Sequence, residues 1–222
     1  MESYKTVRKK AEAMQIIEKS RFIAHVCPVE TREEADAFLA EIREQYKDAT
    51  HNVPAMVIGD KSQIQWASDD GEPQGTSGAP IVQMLVKEGI TNLIVVVTRY
   101  FGGIKLGTGG LVRAYTGSAK LGLEAAGICS VREMAEITMK IDYPHLAKIQ
   151  NMASEELDLS EADCRGEENF SDFRIVNIQY TDKISMKIQT LPGSLKNVEM
   201  LFKNITSGKS EMLSQNTVRV KV

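Results

Sequence analysis

LIVVVTRYFGGIKLGTGGLVRAYTGSAKLGLEAA, residues 93–126, carries three kinds of structure in one run. Leu93 to Thr98 is a continuous apolar stretch of strand length, which predicts a strand buried on both faces. A glycine-rich loop follows, and small and apolar residues predict a helix from about Leu111 to Ala126. Residues 100–122 hold seven of the chain's 16 glycines, so backbone amides are exposed together just ahead of that helix. Such amides, with the helix dipole behind them, suit a phosphate or a carboxylate. Ala114, Gly117, Ala119 and Gly122 in turn suit a helix that packs closely on its neighbours.

Upstream, Ala13–Ile17, Phe22–Val26, Val53–Ile58 and Ile64–Ala67 read as strands. Thr31 and Glu34 form a capping-box pattern, and Ala35, Phe38, Leu39, Ile42 and Tyr46 follow on one helical stripe. The turn-rich stretch 69–78 leads into a helix with Pro80 in its first turn and Ile81, Met84 and Leu85 facing inward. Downstream the pattern changes near Ile128 to Val131. Ile137–Ile141 is a strand, and Leu146, Ile149, Ala153 and Leu157 share a helical face. Phe173–Ile178 and Ile184–Ile188 pair, Ser194 caps a helix carrying Leu195, Val198, Phe202 and Ile205, and Val218–Val222 closes the chain. The order β-α-β-β-α-β is ferredoxin-like. The expectation is an α+β protein of two domains, residues 1–130 and 131–222, since the 222 residues exceed the usual ~100–150 of one domain.

Hydrophobic content of 42% and charged content of 26% are those of a globular protein. The N-terminus has no apolar stretch and no run approaches the ~18 residues of a membrane span, so a cytoplasmic protein is expected. Cys27, Cys129 and Cys164 lack metal-site spacing and suit a reducing compartment as buried thiols. Residues 1–130 carry 15 Lys/Arg against 16 Asp/Glu, and residues 131–222 carry 12 against 14. That balance excludes a generic nucleic-acid coat and leaves room only for a local basic patch. The acidic run from Glu155 to Asp172 reads as a solvated helix end and loop without calcium-loop spacing.

The candidate anion or partner site gathers Arg99, Tyr100, Gly102, Gly103, Lys105, Gly107, Thr108, Gly109, Gly110, Arg113 and Tyr115. Arg99, Lys105 and Arg113 bracket the glycines, and an arginine grips an oxyanion bidentately. Neither common nucleotide pattern fits. Gly102 and Gly107 have P-loop spacing, but Thr108 stands where the lysine belongs; Gly107 and Gly109 open a dinucleotide fingerprint, but Val112 takes the third glycine position. A second cluster, Asp69, Asp70 and Glu72, holds three carboxylates in four residues. These are a solvated turn, acid/base groups, Mg²⁺ ligands or the contacts of a basic partner. No other cofactor or metal is expected. His51, ahead of a strand, is an accessory candidate. No G-x-S-x-G or HExxH pattern supports common hydrolase chemistry.

SDDGEPQGTSGAPIVQML, from residue 68, and VVVTRYFGGIKLGTGGLVRAYTGSA, from residue 95, together with Ser20 to Ala24, resemble the IMPACT family over about residues 1–127. The remainder resembles the smaller C-terminal domain of the bacterial YigZ-type branch. The resemblance implies a first domain like the second domain of ribosomal protein S5 and a ferredoxin-like second domain, a pair similar to the last two domains of elongation factor G. Eukaryotic relatives regulate translation, partly through an added domain that this sequence lacks. Two functions remain open. One is a non-enzymatic translation-linked factor that docks on ribosomal RNA or a ribosome-associated protein through the 68–115 surface. The other is an enzyme or sensor for a small phosphorylated metabolite held at the glycine loop.

Overall fold

The computed structural model describes residues 4–154 and 173–221; the acidic run 155–172, with Leu157 and Cys164, lies outside the described residues. The chain divides into two compact units, one of residues up to Val131 together with Lys221, the other of residues 132–220.

In the first unit β1 (Tyr4–Val7) pairs antiparallel with Ile128–Val131, the first residues of β7 (Ile128–Ile141). The main sheet contains β2 (Ala11–Ile17), β3 (Ser20–Pro28), β4 (His51–Ile58), β5 (Ile64–Ala67) and β6 (Leu93–Tyr100). Its order is β2-β3-β6-β4-β5, and every neighbouring pair is antiparallel. The central position of β6 explains its unbroken apolar run. Leu93, Val95 and Val97 join the core beneath α2 (Gly78–Glu88) and α3 (Gly107–Ala126), while Ile94 and Val96 pack under α1 (Arg32–Gln45). A strand covered on both faces has no use for alternation.

Both halves of the expected capping box are formed at α1: Thr31 accepts from the Glu34 amide, and the Glu34 side chain accepts from the Thr31 amide. Ala35, Phe38, Leu39 and Ile42 are buried as the stripe requires. At α3 the sequence and the structure differ: the helix begins at Gly107, four residues before Leu111. Glycine's low intrinsic propensity hid this first turn. Buried Leu111, Ala114, Tyr115 and Ala119 anchor the helix on the sheet and override that local weakness. At Gly122 a Cβ would come within 2.8 Å of Val26 Cγ2, so glycine lets the helix lie close to β3.

The second unit orders its strands β10-β7-β9-β8, with β8 (Phe173–Tyr180), β9 (Ile184–Thr190) and β10 (Glu211–Lys221). Antiparallel β7–β9 and β8–β9 pairs give the ferredoxin-like arrangement. Ile149 of α4 (Leu146–Met152) and Val198 and Phe202 of α5 (Leu195–Ile205) share one core with Ile137, Ile141, Phe173 and Ile188. Ser194 occupies the N-cap of α5, but its side chain makes no capping hydrogen bond, because a 3-10 turn over Pro192–Ser194 leads directly into the helix. No helix among the described residues is long and apolar enough to cross a membrane.

Candidate functional site

The last residues of β6 alternate across the sheet, and that alternation divides the candidate residues. Arg99 turns to the α3 side, where its side chain is 5% exposed and its Nη1 donates to Glu72 Oε1 at 2.6 Å, itself on a side chain 4% exposed. The guanidinium lies 5.3 Å from the ring centres of both Phe22 and Phe101, and its Nε has no hydrogen-bond partner. Tyr100 turns the other way. Its hydroxyl donates to Asp48 at 2.8 Å, and Arg21 stacks 4.3 Å from its ring, so it lies apart from Arg99.

Glu72 Oε1 is the hub of a buried network. Besides Arg99 it accepts from the Tyr115 hydroxyl at 2.7 Å, and His51 Nε2 stands 3.8 Å away. Burial, reinforced by the Glu72 carboxylate, pushes the Tyr115 phenol far above its ordinary pKa, so Tyr115 stays a proton-bearing donor. His51 Nδ1 lies 2.7 Å from the Asp70 carbonyl oxygen. A carbonyl only accepts, so the proton sits on Nδ1.

The other two carboxylates are committed elsewhere. Asp69 accepts from the Gly75, Ser77 and Gly78 amides and from the Ser77 hydroxyl, all within 3.1 Å. It thereby caps the start of α2 from eight residues upstream. Burial alone would raise the Asp69 carboxyl, but the Ser77 hydroxyl and those amides together hold it below the usual carboxylate range. Asp70 accepts from Arg43 at 2.9 Å and from the Asn52 amide at 2.7 Å. Three adjacent carboxylates thus serve three separate networks. Among the described residues no group of three or more His, Cys, Asp or Glu side chains converges as a metal site.

Above the Glu72 network opens a cleft of about 440 Å³, lined by Thr50, His51, Glu72, Pro73, Arg99, Phe101, Lys105, Leu106, Gly107, Thr108 and Leu111. A second cleft of about 420 Å³ shares Lys105 and Leu106 and adds Gly110 and Arg113 with Ile17 and Glu18. The loop from Phe101 to Leu106 therefore separates two concavities. It is tied down at Gly102, whose amide donates to Ser20 Oγ at 3.1 Å. Gly103 and Gly107 both have left-handed φ, at 87° and 70°. Gly107, Thr108 and Gly109 are exposed, and no side chain caps α3, so its first amides face solvent without a side-chain acceptor. Lys105 and Arg113 are exposed and enter no ion pair among the described residues.

Of the candidates read from sequence, His51, Glu72, Arg99, Lys105, Gly107 and Thr108 line one cleft, with Tyr115 beneath it. Gly110 and Arg113 line its neighbour, while Tyr100, Asp69 and Asp70 line neither. Thr50, Pro73, Phe101, Leu106 and Leu111 were not singled out by sequence reasoning. Phe101 alone had a signal, an aromatic residue placed directly before two loop glycines.

The Impact N-terminal domain matches residues 18–123, a span that contains both clefts apart from the Ile17 edge. IMPACT family member YvyE of Bacillus subtilis is 38% identical over 212 residues, covering 96% of this chain and 91% of that protein. YigZ of Escherichia coli is 38% identical over 152 residues, covering 68% and 74%. Mouse Protein IMPACT is 38% identical over 94 residues, covering 40% of this chain and 29% of the relative. A crystal structure of a hypothetical protein, 29% identical, aligns over 96% of this chain and 98% of its own with a TM-score of 0.57. Full-length identity to YvyE, together with the domain match across the glycine-rich site, places this chain in the IMPACT family.

Proposed function

We propose that this protein is a non-enzymatic, translation-linked factor whose first unit docks RNA of the ribosome at the mouth of the Phe101–Thr108 cleft. The observation that carries the reading is the company kept by the start of α3. Exposed, uncapped amides at Gly107 to Gly109 stand beside exposed Lys105 and beside Phe101, which is 47% exposed. Amides and a lysine suit a phosphate, and an exposed ring suits an unstacked base. Arg99 is not the phosphate anchor, because Glu72 already neutralises it. The net charge of −3 fits a factor that grips RNA at one place and not along its whole surface. Membership of the IMPACT family supports the link to translation.

A second reading, binding of a small phosphorylated metabolite, draws on the concavity itself. At about 440 Å³ the cleft falls within the ~300–1,000 Å³ of small-ligand pockets. Sucrose-gradient sedimentation of lysate at low and high salt separates the two. RNA docking predicts salt-sensitive co-migration with ribosomal particles, weakened by Lys105→Glu. A protein that stays at the top of the gradient at every salt concentration rejects docking and favours the metabolite.

A further inference from the structure

Resting on the RNA-docking reading, we propose that the cleft seats a single unstacked guanine, held by its Watson–Crick edge. The lining separates by chemistry. Phe101, Leu106, Leu111 and Pro73 are apolar, while the polar groups His51 and Glu72 approach each other to 3.8 Å. An apolar lining with a few grouped polar atoms takes a flat heterocycle edge-on. Phe101 has the Arg99 guanidinium against it, yet remains half exposed, which leaves ring surface for stacking.

The polar pair specifies the edge. His51 Nδ1 donates to the Asp70 carbonyl, which makes Nε2 the acceptor of the ring's neutral tautomer. Glu72 stands beside it, with Oε1 3.8 Å from that Nε2 and Oε2 free of hydrogen bonds among the described residues. Arg99 Nη1 and the Tyr115 hydroxyl both donate to Glu72 Oε1 and fill it, so Oε2 is the carboxylate oxygen left to accept. Two acceptors side by side in a half-closed cleft call for a ligand with two adjacent N–H donors. Guanine alone among the RNA bases has them, at N1 and the N2 amine. Uracil places its single N–H between two carbonyls, and adenine and cytosine set their amine beside a ring acceptor. The same cleft contains Gly107 and Thr108, so the nucleotide's phosphate has the amides of α3 within the same concavity.

The test is fluorescence anisotropy of the full chain with a ten-residue oligouridine and with the same oligomer carrying one central guanosine. The guanosine oligomer binds tighter by roughly 5- to 150-fold, the range of one good bidentate base contact. Inosine, which lacks the N2 amine, loses much of that advantage. Phe101→Ala, an exposed position, narrows the difference between the oligomers. Equal binding of the two oligomers overturns the guanine pocket while RNA docking stands. Binding of free GMP but of neither oligomer supports the pocket and rejects RNA as its source. No binding of either oligomer or of GMP overturns both.

Discussion

At the scale of single residues, the Arg99–Glu72 pair is the point of greatest electrostatic tension. Two nearly buried charges hold each other at 2.6 Å, and Tyr115 adds a third partner. Such a pair is weak evidence of net stability, but removing one member strands the other without water. Arg99→Met is therefore expected to destabilise the fold by about 3–5 kcal/mol in urea unfolding. Adding Glu72→Gln should recover much of the loss, since the amide still accepts from Tyr115 and carries no charge. A double variant as unstable as the single one would show that Arg99 acts through packing between Phe22 and Phe101 and not through its charge. Asp69 makes the complementary case at lower stakes. Its carboxyl is held below its ordinary range, so its contribution is full above the unfolded value of about 3.9 and fades as pH falls through the folded value. Asp69→Ala should cost about 0.5–2 kcal/mol at pH 7, as for a lost N-cap. The gap to wild type should start to narrow as pH falls below about 4. A gap that is constant with pH would assign the loss to something other than the ionised cap.

At the scale of elements, the glycines between β6 and α3 look alike in sequence and do different things. A Cβ on Gly102 would lie 2.0 Å from the Lys19 carbonyl carbon, a backbone atom that cannot step aside cheaply. Gly107 is held by its φ of 70°. Gly109 is under neither constraint: its Cβ would meet only Arg113 Nη1, at 3.8 Å. Gly102→Ala should thus lower stability, whereas Gly109→Ala should raise it by about 0.5–1 kcal/mol through helix propensity. If RNA approaches the start of α3, the same Gly109→Ala weakens RNA binding while the melting temperature rises. A variant that both melts higher and binds as well as wild type would remove Gly109 from the docking surface. These distinctions were not legible in the sequence, because spacing shows where glycine is dense and not what faces each one. The buried strand, the α1 capping box and the α2 start could be read locally, since their signals lie within a few residues. The Glu72 hub could not: His51, Glu72, Arg99 and Tyr115 come from four separate segments joined only by the sheet register and the seating of α3. Asp69 was legible as a turn carboxylate but not as the cap of a helix that starts at Gly78.

At the scale of the whole molecule, the decisive long-range feature is β1. Tyr4 to Val7 carry no strong strand pattern, and their partners, Ile128 to Val131, lie more than 120 residues away in sequence. That pairing fixes where the first unit can be cut. The Val7 side chain is fully buried in its core, and the Arg8 amide donates to the Gly127 carbonyl at 2.8 Å, so the closing residues after α3 belong to the same cooperative body. A fragment ending at residue 131 keeps the whole β1 strand ladder and encloses its own core, which predicts a single cooperative melt. A fragment ending at residue 127 loses the ladder, leaves β1 unpaired and exposes Val7. It should melt lower and expose the amides of Tyr4 to Val7 to hydrogen exchange. Residues 132–222 retain the β7–β9 and β8–β9 ladders with Ile149, Val198 and Phe202 in their core, and should also melt cooperatively. The comparison is calorimetry on all three fragments. Equal melting of the 127- and 131-residue fragments would show that β1 adds nothing to the first unit. A second fragment without a cooperative transition would show that its fold depends on the first.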